Sequence, residues 1–188
     1  MIAFIVGAAV LAVAIAFVVV AYNGLVRGRN RVDAAWSQIT VQLKRRYDLI
    51  PNLVETVKGY AAHEKDTLEA VTAARSGAMQ AQASGDPSKA AQADNVLTGT
   101  LKSLFAVSEA YPDLKANQSF LQLQEEIGST ENRVAASRQF FNDGVLSYNT
   151  KIQSFPGSLL AGTFHFEARS FFSVPDPDQV ASAPAVRF

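Results

Sequence analysis

Few side chains in this chain stand at a spacing that chemistry could use. His63 is followed by Glu64, as in the opening of a zinc-protease helix, but that motif requires a second histidine four residues after the first, and Thr67 stands there. His165 lies between Phe164 and Phe166 with no histidine or cysteine partner close in sequence, which suits a packed or solvent-edge imidazole better than a metal ligand. The neighbouring carboxylates Glu125-Glu126 and Asp176/Asp178 lack the organising base or cation that acid–base work needs, and they read as helix surface and loop. Gly24 and Gly28 follow an apolar run rather than joining a strand to a helix, so they do not form a phosphate-cradling loop. With no cysteine, the chain has no disulfide, thiolate metal site or catalytic thiol. Its 17 basic and 17 acidic side chains balance. The one basic run, Lys44-Arg45-Arg46, is flanked by Asp33 and Asp48 and reads as a solvated helix face, so nucleic acid is not an expected partner. No catalytic residue, metal ligand or cofactor is assigned, and the chain reads as a non-enzyme.

The elements say more than the reactive groups. Residues 1–22, MIAFIVGAAVLAVAIAFVVVAY, carry no charged side chain, and Arg27, Arg29 and Arg31 follow closely. A helix needs about 20 apolar residues to cross the hydrocarbon of a bilayer, so this segment is read as a transmembrane helix. A cleaved secretory signal is the competing reading, because Val19 and Ala21 have the small-residue spacing of a cleavage site. Against it stand the length of the run, the lack of a preceding Lys or Arg, and the arginines on its C-terminal side. Those arginines hold the C-terminal side in the cytoplasm by the positive-inside rule, with the N-terminus outside. Arg27, Arg29 and Arg31 are also candidate contacts to anionic lipid. Ala8, Ala12 and Ala16, four apart, allow another helix to approach closely within the bilayer.

Beyond the span, apolar residues recur at steps of three and four. One stripe runs Val32, Trp36, Ile39, Leu43, Tyr47, Ile50, Val54, Val57 and Ala61, and resumes at Leu68 and Val71. Another runs Ala90, Leu97, Leu101, Leu104, Ser108 and Tyr111, and a third runs from Phe120 to Phe155. This period belongs to helices burying one face, and no comparable alternating stretch suggests a sheet. Ser84-Gly85-Asp86-Pro87 is a helix stop followed by a start, with Asp86 as N-cap and Pro87 at the first helical position. Tyr111-Pro112-Asp113 marks a second junction. At Pro51 the unbroken apolar phase allows a kinked continuous helix, but Asp48-Leu49-Ile50-Pro51-Asn52 favours a short turn. The expected fold is all-α: a single N-terminal transmembrane helix, then an antiparallel four-helix bundle of roughly 24–48, 51–83, 87–110 and 113–154, then an aromatic-rich C-terminal tail. In domain terms these are residues 1–22, 23–156 and 157–188.

The segments Ala35-Trp36-Ser37-Gln38-Ile39, Val41-Gln42-Leu43-Lys44-Arg45-Arg46 and Asp48-Leu49-Ile50-Pro51-Asn52-Leu53-Val54 resemble the signature of the LemA family. Tyr22-Asn23, Lys58-Gly59-Tyr60, the run Ala110 to Asn117, Glu131-Asn132-Arg133, Arg138 and Tyr148-Asn149 extend the likeness, in order, from the span to about Pro156. The resemblance implies a short external N-terminus, one span in a bacterial inner membrane and a cytoplasmic helical bundle. It brings no catalytic residue with it.

Two sets of residues remain as candidates for interaction. Trp36, Gln38, Gln42, Asn52, Asn117 and Asn132 are polar or amphipathic groups expected near the bundle interior. Either they fix helix register and cap the Pro51 and Pro112 junctions, or they form a polar seam for a partner helix. The last 34 residues, from Phe155, hold six of the twelve phenylalanines. Leu159, Leu160, Phe164, Ala168 and Phe171 keep helical spacing while Phe166 and Phe172 face elsewhere, so one helix face cannot hide them all. Three placements are open: folding back along the bundle, docking on a neighbouring copy, or lying in the membrane interface. Phe164, Phe166, Phe171, Phe172 and Phe188 are accordingly candidate oligomer or partner contacts, with Val186-Arg187-Phe188 suited to a groove. The functional expectation is a membrane-anchored scaffold that self-associates as a homo-oligomer, touches the lipid bilayer and performs no catalysis. The alternative is an adaptor or modulator of another membrane protein, such as a quality-control protease.

Overall fold

A computed structural model of the chain describes residues 1–173; Asp176, Asp178, the proline-rich stretch from Val174 and the groove candidate Val186-Arg187-Phe188 lie outside the described residues. The described chain is all-α: α1 (Ile2–Lys58), α2 (Lys65–Ala83), α3 (Pro87–Ser108), α4 (Pro112–Lys115), α5 (Gln118–Gln153) and α6 (Gly157–Thr163). Its contacts divide it into two compact units. Unit 1 holds residues 1–42 and 132–170; unit 2 holds residues 43–131 and, among those described, 171–173.

In unit 1, every residue from Met1 to Val20 is exposed, and the first buried side chain is Leu25. This N-terminal part of α1 is long and apolar enough to cross a membrane. Below it, Leu25, Val32, Ala35 and Ile39 of α1 are buried, as are Val134, Phe141, Val145, Tyr148 and Ile152 of α5. Gly28 permits a close approach here, since a Cβ in its place would lie 3.1 Å from the Tyr148 ring. In unit 2 the same stripe continues through Leu43, Tyr47, Ile50, Leu53 and Val57, all buried.

The turn expected at Pro51 is not there. α1 runs through Pro51 to Lys58, and the chain breaks instead at residues 59–64. A proline costs one intrahelical hydrogen bond, that of the carbonyl four residues earlier. That carbonyl, on Tyr47, accepts instead a 2.7 Å hydrogen bond from Arg75 Nε of α2. The continuous apolar phase also rewards an unbroken helix, and the Pro51 ring itself is exposed.

The other junctions follow local chemistry. Gly85 adopts a left-handed conformation (φ 71°) after α2. Asp86 then caps α3, its carboxylate accepting from the backbone N–H of Ser88 (2.9 Å) and Lys89 (3.3 Å), with Pro87 in the first turn. α2 and α3 pack against each other. At the proline junction, Asn117 Oδ1 accepts from the Phe120 N–H at the start of α5, while Asn117 Nδ2 donates to the Tyr60 hydroxyl (2.9 Å). Tyr111 donates to Glu64 (3.0 Å), tying the same connection to the 59–64 break. The helix expected along Leu159 to Phe171 ends at Thr163, and Ala168 and Phe171 are not helical.

Candidate functional site

Unit 2 encloses a polar cluster. Arg46 is buried, with Nη1 3.0 Å from Asp94 Oδ1, Nη2 3.0 Å from Thr98 Oγ1 and Nη2 3.7 Å from Glu131. The Lys44-Arg45-Arg46 run is thus not wholly a solvated face: Lys44 and Arg45 are exposed, whereas Arg46 falls on the inward stripe one position before Tyr47 and needs a buried counter-charge. The Tyr47 hydroxyl is buried beside this cluster without a hydrogen-bond partner. Burial, and then the Asp94 charge, push its phenol well above the usual tyrosine range, against an opposing pull from Arg46. Through these contacts Arg46 ties α1 to Asp94 and Thr98 of α3 and to Glu131 of α5. Arg75, which satisfies Tyr47's carbonyl, gave no sequence signal beyond its being a lone arginine in an alanine-rich helix.

The six expected polar-seam residues do not share a unit. Trp36, Gln38, Gln42 and Asn132 belong to unit 1, Asn52 and Asn117 to unit 2. Trp36 is half-buried against Phe141, ring centroids 5.6 Å apart. Gln38 and Gln42 line a shallow surface groove with Val41 and Ser137, while Asn52 and Asn132 are exposed. Asn117 is the one that caps a junction, at Pro112; the Pro51 position is served by Arg75 instead of Asn52.

The tail aromatics lie against unit 1 as far as Ser170. Tyr22 stacks edge-on with Phe164 (5.0 Å) and Phe166 (5.7 Å), and the Arg29 guanidinium sits 5.4 Å from the Phe166 ring centre. Asn149 clamps the backbone of Arg169, accepting from its N–H and donating to its carbonyl, both at 2.9 Å, and Arg169 pairs with Asp33 at 3.0 Å. Phe166 and Phe172 are buried, whereas Phe164 and Phe171 stay exposed. Arg27, Arg29 and Arg31 are all exposed; Arg27 Nε bonds its own helix at the Asn23 carbonyl. Arg27, Arg31 and Lys151 line one groove with Gly28 and Tyr148. His63 and His165 are exposed, and among the described residues no three His, Cys, Asp or Glu side chains gather where a metal ion would be held. A groove of about 770 Å³ lies in unit 2 between Val54, Lys58 and Ala62 on one side and Leu68, Thr72 and Ala73 on the other.

Comparison with known proteins finds relatives that align with most of the chain. Protein LemA of Metamycoplasma hominis is 31% identical over 135 residues, 71% of this chain and 60% of that protein. Magnetosome protein MamQ of Magnetospirillum gryphiswaldense is 24% identical over 174 residues, 80% of this chain and 64% of that protein. Magnetosome protein MamQ 2 of Paramagnetospirillum magneticum is 24% identical over 181 residues, 84% of this chain and 66% of that protein. The chain therefore spans a little under two thirds of each of these relatives. The LemA family model matches residues 35–188, most of the sequence, and this chain belongs to the LemA family.

Proposed function

We propose that this protein is a membrane-anchored helical scaffold that self-associates and has no catalytic activity of its own. The observation that carries the reading is the distribution of apolar surface. In unit 2 Arg46, Asp94 and Thr98 are engaged with one another, while Val41, Phe140 and Leu146 in unit 1 hold large apolar side chains in solvent, away from the span. Such side chains gain from a protein partner, and a second copy presents the same surface. The antiparallel four-helix bundle expected from the apolar stripes is the framework of this scaffold, supported by the packing of α2 on α3 across a short turn. Arg27, Arg29 and Arg31 favour a single pass through a bacterial inner membrane, N-terminus outside and bundle in the cytoplasm. Similarity to Protein LemA and to magnetosome proteins supports a membrane-associated, non-catalytic role.

The second reading is an adaptor for another membrane protein such as a quality-control protease. The open groove of unit 2 favours it, because an apolar floor of Val54, Ala62, Leu68 and Ala73 with Glu55, Lys58, Lys65 and Glu69 around it suits an amphipathic helix.

Sedimentation of the full chain in detergent separates the two. Self-association predicts one defined multimer that Phe140→Glu with Leu146→Glu reduces to small species. A monomer that co-purifies in fixed ratio with one other membrane protein would overturn it in favour of the adaptor.

A further inference from the structure

The exposed apolar surface of the span continues onto a second element. Phe155 is 73% exposed, Leu159 66% and Phe164 47%. The Phe155 ring stands 6.2 Å from Phe17, and the Phe164 ring 5.0 Å from Tyr22. These two pairs set the depth of the rings: the Phe155 ring reaches Phe17, inside the uncharged run, and the Phe164 ring lies at Tyr22, near its end, while Gly157 between them sits beside Leu25. No Asp, Glu, Lys or Arg occurs between Lys151 and Glu167. The cations come directly after, where Arg27, Arg31 and Lys151 line a groove carrying no acidic side chain. At 1.5 Å rise per residue, Arg27 stands about 10 Å beyond Val20, which is headgroup depth for a span ending near Val20.

The segment is also held in place. The Phe166 N–H closes the end of α6 on the Ala161 carbonyl (2.9 Å), with His165 left-handed (φ 53°) between them. Arg29 over Phe166 and the Asn149 clamp on Arg169 fix the return path. An apolar edge presented in this way is not a loose tail awaiting a core.

We infer that residues 155–164 form a second, monotopic membrane contact. Phe155, Leu159 and Phe164 enter the acyl-headgroup boundary of the leaflet that holds the C-terminal end of the span, and Arg27, Arg31 and Lys151 meet lipid phosphates beyond it. Seven helical residues are too few to cross and carry too little apolar area to bind a bilayer well alone. Tethering by α1 removes that objection, because the segment meets the surface at high effective concentration. The inference rests on α1 crossing a membrane.

The chain has no cysteine, so single thiols can carry an environment-sensitive fluorophore in the full-length protein. We would label Ala12→Cys in the span, Leu159→Cys and Phe164→Cys in the segment, and Met79→Cys on α2, in vesicles of phosphatidylcholine and phosphatidylglycerol. Labels at 159 and 164 are expected to be quenched several-fold more by shallow spin-labelled lipid than by aqueous iodide, as at 12, with the reverse at 79. Lipid quenching at 12 with iodide quenching at both 159 and 164 would overturn the second contact and leave the span intact. Shielding of 159 and 164 from both quenchers would overturn it in favour of coverage by another copy. Iodide quenching at 12 would remove the span, and the inference with it.

Discussion

Arg75 Nε donates to the carbonyl oxygen of Tyr47 at 2.7 Å, and Tyr47 is the residue whose carbonyl Pro51 leaves without an intrahelical partner. A defect of α1 is thereby repaired from α2, and the bond locks the two helices at one register. Hydrogen bonds from a charged donor contribute about 1.5–3 kcal/mol.

Arg75→Met, which keeps most of the length and apolar stem, is expected to destabilise the protein by about 2 kcal/mol. In a Pro51→Ala background the alanine N–H satisfies Tyr47's carbonyl, so the same change is expected to cost less than half as much. Denaturant unfolding of the four proteins in detergent, followed by helical circular dichroism, gives the cycle. Equal costs in both backgrounds would mean that Arg75 acts elsewhere.

The Arg46–Asp94 pair is buried on both sides. Removing one partner strands a charge, at about 3–5 kcal/mol, whereas replacing both with apolar residues of similar volume is often neutral. Asp94→Leu alone is therefore expected to lose several kcal/mol, and Arg46→Met with Asp94→Leu to recover most of it, measured by the same unfolding. A double variant as unstable as the single one would show that the pair is needed for the packing itself.

Tyr47 supplies a pH prediction. Burial raises its phenol above the ordinary value of 10.0, so above pH 10 the unfolded chain loses this proton while the folded chain keeps it. The stability tied to Tyr47 is then fully present below pH 10 and falls as pH rises beyond it. Tyr47→Phe should flatten that alkaline decline. Because its hydroxyl has no hydrogen-bond partner, the substitution should also stabilise the protein at neutral pH by about 1 kcal/mol. Unfolding curves at pH 7.5 and pH 10.5 for both proteins test the two statements, and an unchanged alkaline slope would refute the first.

What the sequence reveals depends on how local the cause is. The Gly85-Asp86-Pro87 stop and start was legible because its cap, its proline and its left-handed glycine act within a few residues. Helix phase likewise placed Ile39, Leu43, Ile50 and Val57 in the core. Pro51 misled because the group that makes it tolerable is 28 positions from Tyr47 in sequence. Arg46 looked like its neighbours Lys44 and Arg45 until Asp94, 48 positions away, was brought to it. In the tail, the spacing of Leu159, Phe164 and Phe171 imitates a helix, while the cause of its real path is the pairing of Asn149 with Arg169.

The end of α6 offers a pair of opposed substitutions. His165 holds a left-handed backbone (φ 53°) in which a side chain costs roughly 1–2 kcal/mol relative to glycine. Its imidazole is exposed, so His165→Gly relieves that cost without removing a buried contact and should stabilise the fold by about 1 kcal/mol. Gly157 is the converse case: it is buried, and a Cβ there would overlap the Lys151 carbonyl oxygen of α5 while meeting Leu25 at ordinary contact distance. Gly157→Ala must therefore push α6 away from the end of α5. Limited proteolysis reads both changes, because a displaced α6 exposes the bonds around Leu159 and Leu160 to cleavage. Gly157→Ala should be cut at least several-fold faster than the parent chain and His165→Gly no faster. Equal cutting of Gly157→Ala and parent would mean that the end of α5 yields to admit the methyl group, and that α6 is held by Phe166 and Asn149 rather than by its first turn.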